Sequence, residues 1–276
     1  MSATVEAPFG KGRNDENFPV GSVLIRRALR PHVHAFYAFA RNGDDIADDP
    51  HLDPADKVAR LDLMESVLIG EAHDGSPSAA ALRESLAETG VTPRHAQDLL
   101  VAFRQDAAKR RYASWDELME YCRYSAMPVG RHVLDLHGED PATHAPSDPL
   151  CAALQVLNHL QDGSKDLAAL NRCYLPADLL QQHGAAVEDL AGAAETPGLR
   201  AVLSALLDRV DALNDAAAAL PRATRDRRLR IEVAVIVGLS RRLARRLRHG
   251  DPVATRVRLR KADAIGAVLS ALRYAA

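Results

Sequence analysis

The chain has 276 residues, 47% hydrophobic and 26% charged, with a formal net charge of −2. That is ordinary globular composition, long enough for one large core or two modest ones, and it gives no electrostatic support for nucleic acid as a partner. Aromatics make up only 4% while Ala, Leu and Arg abound and β-branched runs are few, which predicts an all-α protein.

Three further features narrow the class. The longest strongly apolar run, Ile231 to Leu239 with Glu232 inside it, falls far short of the roughly 20 residues of a membrane span and reads as a buried helix wall. Cys122, Cys151 and Cys173 are odd in number and form no metal-type pair, as expected of reduced thiols in the cytoplasm. No G-x-G-x-x-G string is present, so no dinucleotide fingerprint supports a redox cofactor.

In chain order, Met1–Arg13 lacks a signal pattern, and residues 1–15 are expected to form a disordered lead-in to a single helical domain over 16–276. Pro and Gly punctuate that domain into helices at 17–29, 31–48, 54–70, 78–89, 93–111, 115–137, 146–168, 176–192, 198–220, 222–249 and 258–274. The second of these carries Tyr37, Arg41, Asp44 and Asp48 at spacings of four, three and four. At about 3.6 residues per turn they share one stripe, with Asp45 and Asp49 on its shoulder. Carboxylates four apart on a helix repel, so the stripe reads as a cation site or as a solvated acidic helix end.

Between residues 121 and 131 the string Tyr-Cys-Arg-Tyr-Ser-Ala-Met-Pro-Val-Gly-Arg sets small residues and a proline inside a helical pattern. Pro128 kinks the helix, and the small side chains leave room either for a long apolar chain or for close helix packing. Farther on, Gln155, Asn158, His159, Asp162 and Asp166 form a second polar stripe, running into Arg172 and Tyr174, which could fold back over a metal-bound phosphate; Asp162 or Asp166 alone also reads as a helix cap or an ion-pair partner of Lys165. Two such stripes on Leu/Ala-rich helices suit Mg²⁺, which takes one or two carboxylates, keeps several waters and fills its shell from substrate phosphates. From Arg227 to Lys261 there are twelve basic residues against Glu232 and Asp251. Arg241, Arg242, Arg245, Arg246 and Arg248 read mainly as solvated faces, with attraction to an anionic membrane surface as the lesser reading. Arg256, Arg258 or Lys261 could close over a diphosphate.

Tyr37-x-x-x-Arg41-x-x-Asp44-Asp45-x-x-Asp48 and Asn158-x-x-Gln161-Asp162-x-x-x-Asp166 resemble the two aspartate-rich motifs of the squalene/phytoene synthase family. The resemblance runs from about Glu16 to the C-terminus. The strings Glu16-Asn17-Phe18-Pro19-Val20, Tyr121-Cys122-Arg123-Tyr124-Ser125, Pro128-Val129-Gly130-Arg131 and Arg172-x-Tyr174-Leu175-Pro176 are most similar to its bacterial hydroxysqualene synthase branch, in hopanoid formation. What the resemblance implies is an all-α class I isoprenoid synthase fold, helices around a central cavity, both acid motifs facing each other. Tyr37, Arg41, Asp44, Asp48, Asp162 and Asp166 would then be catalytic. Asp44, Asp45, Asp48, Asn158, Asp162 and Asp166 would hold Mg²⁺, or Mn²⁺ in its place. Ser22, Tyr121, Ser125, Val129, Gln155, Asn158, Gln161, Arg172 and Tyr174 would bind substrate. The implied reaction is that of a carbon–oxygen lyase, presqualene diphosphate and water giving hydroxysqualene and diphosphate without NAD(P)H. Implied partners are the isoprenoid diphosphate and other squalene-pathway enzymes; the anionic membrane surface rests on the basic C-terminal residues, and composition gives no support to nucleic acid.

The chain departs from the family pattern at Gln161, where condensing members commonly carry Arg, and at Phe18-Pro19-Val20-Gly21-Ser22, where they carry a Ser-rich segment. Loss of a cation beside Asp162 argues against a site for two farnesyl diphosphates. A head-to-head prenyl synthase is the alternative among enzymes, and a catalytically silent helical assembly factor the alternative outside them.

Overall fold

The computed structural model describes residues 4–6 and 24–275, and among these every regular element is helical. The α-helices are α1 Arg30–Asp48, α2 Pro54–Ile69, α3 Pro77–Thr89, α4 Arg94–Ala108, α5 Trp115–Ser125, α6 Met127–Leu136, α7 His144–Leu170, α8 Ala177–Gln182, α9 Pro197–Ala216, α10 Leu220–Ala223, α11 Arg227–His249 and α12 Lys261–Ala271. Their starts are written locally. Asp53-Pro54, Ser76-Pro77 and Thr196-Pro197 each pair a side chain that accepts a backbone N–H of the first turn with a proline whose missing N–H costs the helix nothing. Ser114 and Asp226 cap α5 and α11 in the same way.

Several elements differ from the sequence expectation. Residues 24–29 form turns rather than helix, and 17–23 lie outside the described residues. The helix expected over 115–137 is broken at Ala126 (φ −126°, ψ −48°), so that α6 starts at Met127 with Pro128 in its first turn. The break answers to Pro128, which has no N–H to continue the ladder of α5 and is accommodated in the first turn of a new helix, where that N–H would be unused. The expected 176–192 helix divides into α8 and a 3₁₀ turn over Val187–Ala191.

Contacts gather into two compact units, Met1–Lys109 with Pro128–Pro141, and Arg110–Met127 with Ala142–Ala276. In the first, α1 to α4 surround a core of Phe36, Phe39, Leu61, Met64, Leu68, Leu82, Leu99 and Leu100. Within the stretch expected as a lead-in, Thr4–Glu6 is docked. Val5 N–H donates to Gly75 O at 2.8 Å, and the Glu6 carboxylate accepts from Ser76 Oγ–H and from Ser78 N–H at the N-terminus of α3, where the helix dipole favours an anion. In the second unit, α7 packs on α9 and α11, and Val156, Leu157, Leu199, Leu206, Val210 and Leu243 of these helices are buried. The arginines of α11 are structural there rather than simply solvated. Arg241 pairs with Asp215, Arg246 with Asp263, and Arg248 with Asp208 and Asp211.

Candidate active site

Helix α1 puts Val33, Phe36, Phe39, Gly43 and Ile46 into the core, and this sets the neighbouring stripe of Tyr37, Arg41, Asp44 and Asp48 half-buried beside it. Gly43 is required by packing, since a Cβ there would stand 2.6 Å from Phe103 Cδ2 of α4. Asp44, Asp45 and Asp48 fall in the last turn and a half of α1, where the dipole is unfavourable to anions. The structure answers with cations. Arg41 donates Nη1–H to Asp44 Oδ2 at 3.0 Å and Nη2–H to Asp45, and Asp45 is the more buried of the two acids. Burial works to lower the Arg41 pKa, but Asp44 and Asp45 outweigh it and hold the guanidinium above its usual range. Lys57, buried on α2, donates Nζ–H to Ala47 O at 2.8 Å. Sequence reasoning missed Lys57. Its spacing with Leu61, Met64 and Leu68, all core residues, was the signal that could have found it.

On α7 the stripe of Gln155, Asn158, Asp162 and Asp166 is half-buried, while Val156, Leu157, His159, Leu160 and Gln161 are buried. Arg256 pairs with Asp162 through both nitrogens of its edge, Nε at 2.6 Å from Oδ1 and Nη2 at 2.7 Å from Oδ2. Gln161 donates Nε2–H to Val257 O at 2.5 Å. Adjacent residues of the segment between α11 and α12 are thereby tied to adjacent residues of α7. The same segment is anchored at its start, where Asp251 accepts from the N–H groups of Glu195, Val253 and Ala254.

Behind the stripe lies an aromatic stack. The rings of His159 and Tyr174 are 3.4 Å apart at 13°, and Tyr174 in turn stacks on Tyr112 at 5.4 Å. Tyr121 tilts against all three. Arg172 is buried and donates Nη1–H to the Tyr174 hydroxyl at 3.2 Å. Burial, helped by the Arg172 charge, lowers the His159 pKa to about 3, so its imidazole is neutral. Arg172 and Tyr174, which follow α7, thus meet each other, and Tyr174 lies back against His159 in the middle of that helix. Ser125 Oγ is buried without a hydrogen-bond partner at the end of α5, and Val129 on α6 is 41% exposed. Ser22 lies outside the described residues.

Among the described residues no three His, Cys, Asp or Glu side chains form a ready metal cage. The donors present are hard oxygens, two or three carboxylates per stripe with amides beside them, each stripe already drawing a guanidinium onto its acids. That set fits Mg²⁺ shared with phosphate oxygens, which needs only one or two protein carboxylates per ion.

The chain matches the squalene/phytoene synthase family profile over residues 12–263. It is 46% identical over 272 residues to the hydroxysqualene synthase of Rhodopseudomonas palustris, covering 99% of this chain and 93% of that one. To the hydroxysqualene synthase of Sinorhizobium fredii it is 46% identical over 245 residues, covering 89% and 84%. Its fold is similar to the crystal structure of squalene synthase HpnC from Alicyclobacillus acidocaldarius, with a TM-score of 0.75 and 35% identity over 86% of this chain and 90% of that one. The all-α isoprenoid synthase fold is therefore the fold of this chain.

Proposed function

Since the chain belongs to the squalene/phytoene synthase family and is an enzyme acting on diphosphates, we propose that it converts presqualene diphosphate and water to hydroxysqualene and diphosphate, a step of squalene and hopanoid formation. The observation that carries this reading is the identity of 46% across nearly the whole chain with hydroxysqualene synthases, together with the neutral amide of Gln161 beside Asp162. A cation there would serve a second diphosphate; Gln161 spends its amide N–H on Val257 O instead.

In this reading the acid stripes of α1 and α7 are the diphosphate-binding elements of the chain. Asp44, Asp45, Asp48, Asn158, Asp162 and Asp166 would hold the magnesium, whose charge binds the diphosphate and favours its departure. Arg41 orients Asp44 and Asp45 through its two terminal nitrogens. The C–O bond to diphosphate breaks with its electron pair leaving on oxygen, and a water oxygen then bonds to the carbon skeleton and loses a proton. No change of oxidation state occurs, so no nicotinamide is needed. Tyr121, Ser125, Val129, Gln155, Arg172 and Tyr174 are assigned to substrate binding. Three free thiols accord with a cytoplasmic enzyme.

Purified protein is incubated with Mg²⁺ and either presqualene diphosphate or farnesyl diphosphate. Hydroxysqualene from the first and no product from the second is the expected result. Presqualene diphosphate or phytoene-type product from a prenyl diphosphate alone would overturn the assignment.

A further inference from the structure

Helix α12 is built inside out. It buries its small side chains, Ala267 and Ala271, and turns its large apolar ones outward. Ile265 is 61% exposed, Val268 47%, Leu269 63% and, one turn on, Leu272 56%. Their spacing of three, one and three residues gathers them on one face of about 100°. A contiguous apolar face of this kind on a folded chain marks an interaction surface rather than scattered exposure.

The charges around it have one sign. Arg258, Arg260 and Lys261 are exposed at the start of α12, and Arg273 is exposed at its end, its guanidinium 5.0 Å from the Tyr274 ring. Asp263 is the only acid between Lys261 and Ala275, and Arg246 holds it at 2.5 Å from α11. The charges that α12 and its flanking residues leave free of a carboxylate on this segment are therefore basic.

We propose that α12 is a docking surface for a bilayer bearing anionic headgroups. Ile265, Val268, Leu269 and Leu272 enter the boundary between headgroups and acyl chains, and Arg258, Arg260, Lys261 and Arg273 meet the headgroup phosphates. Charge complementarity selects this occupant. A second copy seated face to face would set the basic rim against an identical rim, with like charges at close range. No described helix is long and apolar enough to cross a membrane, so the contact is peripheral. The proposal rests on α12 alone and holds whichever diphosphate the acid stripes process.

The full chain is sedimented with vesicles of phosphatidylcholine containing phosphatidylglycerol and, separately, of phosphatidylcholine alone. Wild-type protein is expected to pellet with the anionic vesicles and to be released by salt. The variant Leu269→Ser/Leu272→Ser is expected to lower the partition coefficient by about tenfold or more with unchanged circular dichroism and thermal midpoint. Arg258→Gln/Lys261→Gln, which leaves the apolar face intact, is expected to weaken binding to anionic vesicles by a similar factor. Wild-type protein that stays in the supernatant, or a serine variant that partitions like wild type, would overturn the proposal. So would a wild-type dimer that the serine changes convert to monomer, because the face would then belong to a second copy.

Discussion

Arg256 grips Asp162 through two nitrogens, Nε at 2.6 Å from Oδ1 and Nη2 at 2.7 Å from Oδ2. A residue of the α11–α12 segment thus occupies the first acid of the α7 stripe, as Arg41 occupies Asp44 on α1. A divalent ion that binds Asp162 competes with that guanidinium for the carboxylate oxygens, and the carbonyl of the next residue, Val257, is held by Gln161.

Replacing Arg256 by Gln removes the competitor. A partly exposed pair of this geometry contributes about 1 kcal/mol, so Mn²⁺ binding measured by electron paramagnetic resonance without substrate should tighten up to about fivefold. Unchanged or weaker Mn²⁺ binding would show that Arg256 does not compete for Asp162.

Asp48→Asn and Asp166→Asn separate catalysis from stability. Each relieves a repulsion between acids four residues apart, worth a few tenths of a kcal/mol, so the thermal midpoint should hold or rise slightly. Turnover with saturating Mg²⁺ should fall about 10²- to 10³-fold, as when one group that stabilises developing charge is removed. A variant with near-native turnover would remove that acid from the site.

Gly43→Ala tests how the first stripe is positioned. The added methyl would meet the buried Phe103 ring at 2.6 Å, and overpacking of this kind costs about 1–3 kcal/mol. Urea denaturation should show that loss, and a second change, Phe103→Leu, should recover part of it. Full stability of the single variant would mean that α1 and α4 part without strain.

Acid should destabilise the protein through two histidines. Burial, reinforced by His95 and His32 and only partly opposed by Asp135, lowers the His132 pKa to about 3; burial and Arg172 do the same for His159. The unfolded chain takes up a proton on each near pH 6.5, which the folded chain refuses until about pH 3. Stability is therefore full above pH 6.5 and falls as pH drops toward 3, by an amount on the order of a few kcal/mol per residue. Both ring nitrogens of His132 lack hydrogen-bond partners and its ring stacks on Phe36 at 3.8 Å, so His132→Phe should flatten the slope of stability against pH in that range. An unchanged slope would contradict neutral burial of His132.

The helical class and both polar stripes were legible because they depend on short-range periodicity: Asp44 and Asp48, or Asp162 and Asp166, share a face whatever surrounds them. Pro128 announced a disturbance, but only the structure shows a break at Ala126 in place of a kinked continuous helix. The pairing of Arg256 with Asp162 spans 94 residues and was invisible to any periodic pattern, although Arg256 stood among the basic residues that could approach a diphosphate. The arginines of α11 were read as solvated because their acids, Asp208, Asp211, Asp215 and Asp263, lie on other helices. The outward apolar face of α12 follows from the burial of Ala267 and Ala271, a choice that composition does not encode.

The central claim is that water captures the carbon skeleton after diphosphate leaves. Purified protein, Mg²⁺ and presqualene diphosphate in ¹⁸O-labelled water should yield hydroxysqualene carrying one labelled oxygen, with unlabelled diphosphate. An alcohol with unlabelled oxygen, which signals cleavage at phosphorus, or presqualene diphosphate left untouched, would contradict it.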